Sequence, residues 1–169
     1  MSDLMGRVKS AWKEKRVGFE IDEVMTGEHE FEPGFGPAGR RFMEFRVTWG
    51  TDDVSRWANP KAADFMRSPL KGTVTINGLC ENVGVQGTLT LMYFSEQKIR
   101  YEFEFDAAGA RYHFVGEKIN LRPWNLHVTH TTCYGRLTEV ATGKLVSKSI
   151  THFRLRSAPA FLWSLRLVA

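Results

Sequence analysis

The sequence predicts an all-β protein, an eight-stranded antiparallel up-and-down barrel with short helices at the N-terminus, between strands 2 and 3, and at the C-terminus. Three observations predict it. The stretch IRYEFEFDAAGARYHFVGEKIN, at 99–120, alternates with a period of two on both sides of one turn. From Gly72 onward, alternating runs follow one another across short links with Asn-Gly, Gly, Asp or Pro-Trp signals. Two earlier strands bring the number to eight, and so many antiparallel strands in one small domain lose their exposed edges by closing.

The hairpin sets the faces. Tyr101, Phe103 and Phe105 point one way, and Arg100, Glu102 and Glu104 the other. With Asp106-Ala107-Ala108-Gly109 as the loop, Phe105 is expected opposite Ala110, Glu104 opposite Arg111, Phe103 opposite Tyr112, Glu102 opposite His113 and Tyr101 opposite Phe114, so that every pair matches in kind.

In chain order, residues 3 to 16 place Leu4, Val8, Ala11 and Trp12 on one stripe among basic residues and predict an amphipathic N-terminal helix within 1–17. It either packs across the end of its own domain or lies on an anionic surface. Phe19 to Phe31 reads as a first strand with a bend or bulge at Gly27. The segment Glu32 to Gly39 is a loop of glycine and proline. It is not a phosphate cradle, because a strand follows it where such a loop feeds a helix. That second strand, Arg41 to Trp49, has Met43, Phe45, Val47 and Trp49 on one face. Thr51-Asp52-Asp53 caps a short helix carrying Val54, Trp57 and Ala58, with a further turn or two from Lys61 to Met66. Six strands are then expected at Gly72 to Cys80, Val85 to Phe94, Lys98 to Asp106, Ala110 to Asn120, Asn125 to Val140 and Lys144 to Leu155. The tail, 157–169, reads as a short apolar helix with Pro159 near its first turn.

Asp52-Asp53-Val54-x-x-Trp57-x-Asn59-Pro60, the hairpin with Gly109, Phe114-Val-Gly-Glu-Lys-Ile119 and Thr131-Thr132-x-Tyr134 together resemble the calycin-like barrel domain that occurs alone or beside sterol-oxidase-type (GMC) flavoenzymes. The resemblance spans Phe19 to Leu155. It implies a lipocalin-like barrel tied to lipid or sterol metabolism, with a flavoenzyme as an expected contact. The chain has no G-x-G-x-x-G, so no oxidase activity carries over. His130 stands where the family pattern would have an acidic residue.

A chain of 169 residues with 43% hydrophobic content suits one domain, 1–169. The net charge of +4 comes with interspersed acids, so a nucleic-acid footprint is not expected. Cys80 and Cys133 have no partner motif and read as buried thiols in a reducing compartment. The N-terminus lacks the apolar segment of a secretory signal, and no window reaches the ~18 apolar residues of a membrane-spanning helix. The expected location is the cytoplasm, with peripheral membrane contact open.

The candidate site is the barrel interior. Phe45, Trp49, Leu91, Tyr93, Tyr101, Phe103, Tyr112 and Phe114 are expected to line it, with His130, Thr132 and Tyr134 from strand 7 and Trp57 from the helix over one mouth. An interior of this size is either filled by side chains or holds one small ligand. A mostly apolar pocket with a few polar groups suits a hydrophobic molecule with one polar head, lipid- or sterol-like. His127 and His130, three apart on a strand, face opposite ways and cannot share a metal. The sequence therefore implies no metal and no cofactor. Glu102, Glu104 and His113 belong to the wet face. His130 and Tyr134 are the weak catalytic candidates, and they keep a barrel isomerase, cyclase or hydrolase open as the alternative function. The basic N-terminal helix leaves a third, an interaction module.

Overall fold

The computed structural model describes residues 17–121, 131–153 and 166–168. The expected barrel is there. Strands β1 (Gly18–Phe31), β2 (Arg41–Thr51), β3 (Arg67–Ile76), β4 (Cys80–Met92), β5 (Lys98–Ala107), β6 (Ala110–Lys118), β7 (Thr132–Glu139) and β8 (Leu145–Phe153) each pair antiparallel with the next. The sheet closes because β1 pairs with β2 on one side and β8 on the other. Among the described residues β8 pairs with β1 as far as Met25, and a short β9 (Arg166–Val168) pairs with Gly18–Glu20.

That last strand corrects the expected C-terminal helix over 166–168. Unpaired backbone along the start of β1 offers hydrogen bonds that a lone helical turn there would leave unused. The remainder of the expected helix, and the N-terminal helix of residues 3 to 16, lie outside the described residues. Between β2 and β3 the helix is the single turn α1 (Val54–Trp57), N-capped by Asp53, and Lys61 to Met66 form turns. β1 runs through Gly27 without the expected bulge. Glycine is needed there because a Cβ would stand 2.1 Å from the Ile150 carbonyl oxygen, a close backbone approach.

The β5–β6 hairpin is tighter than expected. Ala107 pairs with Ala110, Phe105 with Tyr112, Phe103 with Phe114 and Tyr101 with Gly116. The two-residue turn has φ of +50° at Ala108 and +78° at Gly109, the pair of positive values that a type I′ turn requires. This moves the register by two residues, which preserves every face. The expected charge pairs form diagonally, with His113 Nε2 and Glu102 Oε1 3.0 Å apart and Arg111 Nε donating to Glu104 at 2.9 Å.

The phase of β7 is the opposite of the expected one. Cys133 and Leu137 are buried at 0% and 1% exposure, whereas Tyr134 is 49% exposed on the outer surface beside Ile150. Phe114 explains the inversion. A Cβ on Gly135 would lie 2.5 Å from its ring and one on Gly116 2.8 Å, so small residues of β6 and β7 must face the interior there. The ring fills that space and stacks on Phe103 at 4.7 Å, and Phe45 lies 5.7 Å from both. These rings are the centre of the core.

Outward positions carry Asp22, Glu30, Arg46, Lys71, Glu104 and Lys148, all exposed. A membrane-spanning barrel presents an apolar band instead. Among the described residues no helix is long and apolar enough to cross a membrane.

Candidate functional site

The two ends of the interior differ. Far from α1, Phe31, Ile76, Phe105 and Tyr112 are at most 8% exposed, and the partly buried residues beside them, Cys80, Val83, Ala107 and Ala110, are small. Beside α1, Phe19, Ile21, Leu91, Tyr93 and Phe153 pack on the core and remain only partly buried. Large apolar side chains thus form the rim at this end.

α1 is built into its rim. The Asp53 carboxylate accepts from the Arg56 amide at 3.0 Å, and the Val54 amide donates to the Val17 carbonyl at 2.9 Å. Trp57 then meets Phe19 edge to face at 5.3 Å, and Phe19 meets Trp49 in the same way at 5.8 Å. The Trp57 indole nitrogen is enclosed without a hydrogen-bond partner among the described residues.

Below the rim stands a charged cluster. Glu23 is in phase with Ile21 and Met25 on β1, and Lys118, the last residue of β6, is in phase with Phe114 and Gly116. Alternation sends both side chains inward, where each is 5% exposed. The Lys118 ammonium donates to Glu23 Oε1 at 2.6 Å. Tyr101 donates its hydroxyl to the same carboxylate, 2.9 Å from both oxygens, and Trp49 Nε1 donates to Oε2 at 3.3 Å. A buried charge survives only when paired and hydrogen-bonded, and Glu23 is both. Lys118 also faces the ring of Tyr101 at 5.2 Å and that of Phe153 at 6.0 Å.

This setting fixes the protons nearby. Burial, then the Glu23 charge, pushes the Tyr101 phenol well above its ordinary value, and the same two causes raise Tyr93. Burial raises the Cys133 thiol to about 12, against the opposing pull of Lys118, so this cysteine is not a nucleophile at neutral pH.

A second polar strip runs along β1 and β8, where Ser147, Ser149 and Thr151 face inward and are buried. His29, 2% exposed, pairs across the ladder with Ser149, and its Nε2 donates to the Asn77 carbonyl at 3.0 Å. Burial lowers the pKa of His29, with Asn77 opposing and Arg41 assisting. Protonation is thus disfavoured in the folded chain and unhindered in the unfolded one. Its contribution to stability is complete above the ordinary histidine value of ~6.5 and is lost as pH falls below that towards the folded value. Urea midpoints taken down this range should fall, and His29→Gln should flatten the slope; an unchanged slope in the variant assigns the acid sensitivity elsewhere.

The structure brings Phe45, Trp49, Leu91, Tyr93, Tyr101, Phe103, Tyr112 and Phe114 to the interior and Trp57 to its rim. It places Thr132 and Tyr134 on the outer side, where Thr132 Oγ1 and His152 Nδ1 are 3.2 Å apart. His130 lies outside the described residues. Glu23, Lys118 and His29 were missed, although each interrupts an inward apolar phase in the sequence, and that interruption was the signal. On the outer surface, an open cleft of about 1070 Å³ lies over β3 to β6, and the carboxylates of Glu102 and Glu104 in it are already engaged by His113 and Arg111.

No family model, curated protein or solved structure matches the chain. The class it defines is that of closed eight-stranded antiparallel β-barrels, a form compatible with a lipocalin-like fold. Within that class it is a barrel whose α1 end carries large, partly buried apolar side chains above a buried glutamate–lysine pair.

Proposed function

We propose that the protein binds a hydrophobic small molecule, lipid- or sterol-like in character, at the α1 end of the barrel. The supporting observation is the contrast between ends: the partly buried apolar residues at one are mostly small, Cys80, Val83, Ala107 and Ala110, and at the other they are large, Phe19, Ile21, Leu91, Tyr93 and Phe153. Inward apolar surface left open to solvent is the usual lining of a ligand site. The packed rings of Phe45, Phe103 and Phe114 form the floor. Binding suits this arrangement better than catalysis, since Cys133 is held protonated and Tyr134 faces away from the interior.

Titration with N-phenyl-1-naphthylamine, a neutral apolar fluorophore, tests the proposal. One saturable site is expected, with energy transfer from tryptophan and strong weakening by Leu91→Arg, which puts a charge in the mouth. Binding that does not saturate, or that ignores the substitution, overturns it.

A further inference from the structure

We propose that the ligand of this mouth is electrically neutral and offers an oxygen acceptor to Lys118, as a long-chain alcohol, ketone or ester does and a fatty acid does not. The inference rests on the apolar-ligand reading above and deepens it. Glu23 is an acceptor already engaged by three donors, Lys118 at Oε1, Trp49 at Oε2 and the one hydroxyl proton of Tyr101 between them, and it has no proton to offer a ligand. Among the described residues Lys118 does have capacity. Its ammonium carries three N–H donors, and among the described residues one oxygen, that of Glu23, receives it. It also faces the rings of Tyr101 and Phe153. Phe153 is among the partly buried residues of the mouth, so the spare donors lie on the side a ligand enters.

Charge then selects the head group. The Glu23–Lys118 pair is neutral as a unit and 5% exposed on each side. A neutral oxygen accepting from Lys118 leaves that balance intact. A carboxylate bound to the same ammonium would sit within about 5 Å of Glu23, two anions sharing one cation away from water. Such a pair resists joint ionisation, so a fatty acid must either shed its charge or stay out.

Displacement of N-phenyl-1-naphthylamine by lauryl alcohol, its methyl ketone and laurate near neutral pH tests this. The alcohol and ketone should compete at least about tenfold more tightly than laurate, a difference of about 1.4 kcal/mol. Glu23→Gln removes the resident anion and should reverse the order, laurate becoming the tighter competitor through an ammonium left without its counter-charge. The double variant Glu23→Gln/Lys118→Met should remove the discrimination, and it stays informative if the single substitution does not fold. Laurate competing as well as the alcohol against the native protein overturns the neutral-ligand inference alone, as does a Glu23→Gln variant that keeps the native order. Absence of saturable dye binding overturns the apolar-ligand reading and this inference with it.

Discussion

Replacing Lys118 by methionine should destabilise the barrel by about 3–5 kcal/mol, the effect of leaving one member of a buried ion pair without its partner. The carboxylate of Glu23 would keep Tyr101 and Trp49 as donors and lose the only cation beside it among the described residues. Neutral hydrogen bonds do not replace a counter-charge in an interior this dry. Glu23→Gln/Lys118→Met should recover most of the loss, because no unpaired charge is left and the amide oxygen can still accept from Tyr101 and Trp49. Urea denaturation of both singles and the double gives the coupling directly. A Lys118→Met variant within about 1 kcal/mol of the native protein would mean that water reaches Glu23.

Phe114→Ala should cost about 3–5 kcal/mol by a different route. The ring stacks on Phe103 at 4.7 Å, lies 5.7 Å from Phe45, and fills the space that Gly116 and Gly135 leave. Those glycines have no side chains that could swing in, so the void stays. The spread of such costs depends on how far the surroundings collapse, and here the positions facing the ring are glycines. Equilibrium unfolding measures it, and a cost below about 1.5 kcal/mol would show that β6 and β7 move together to close the gap.

The alternation in β2, β5 and β6 was legible because each has one strongly apolar phase. Met43, Phe45, Val47 and Trp49 have no rival set on their strand, and all four are buried. β7 has two moderate phases. Tyr134 looks like the better inward residue until the bulk of Phe114 across the ladder is known, and that bulk makes Cys133 and Gly135 the only set that fits. Sequence patterns report the chemistry of a face and leave out the volume already taken by the neighbouring strand. The hairpin register failed for a related reason. Tyr112 is equally well matched in kind to Phe103 or Phe105, and a shift of two residues changes no face. What decided it was the backbone of the turn, where Ala108 adopts a positive φ that its residue type does not advertise. Glu23 and Lys118 escaped because a charge in an apolar phase reads as an interruption until its partner is known, and the partner is on a distant strand.

The closure of the barrel bears on how the chain reaches its native state. Among the described residues every strand pairing from β1–β2 to β7–β8 joins neighbours in sequence, and only β1 with β8 and β9 joins early and late strands. The loop entropy of that one seam is the largest in the fold, so the meander can assemble hairpin by hairpin before its borders meet. Glu23 belongs to the seam strand and Lys118 to the middle of the meander. Their union is therefore a long-range contact that an open sheet leaves hydrated, and the dry ion pair marks the moment at which the cylinder is complete.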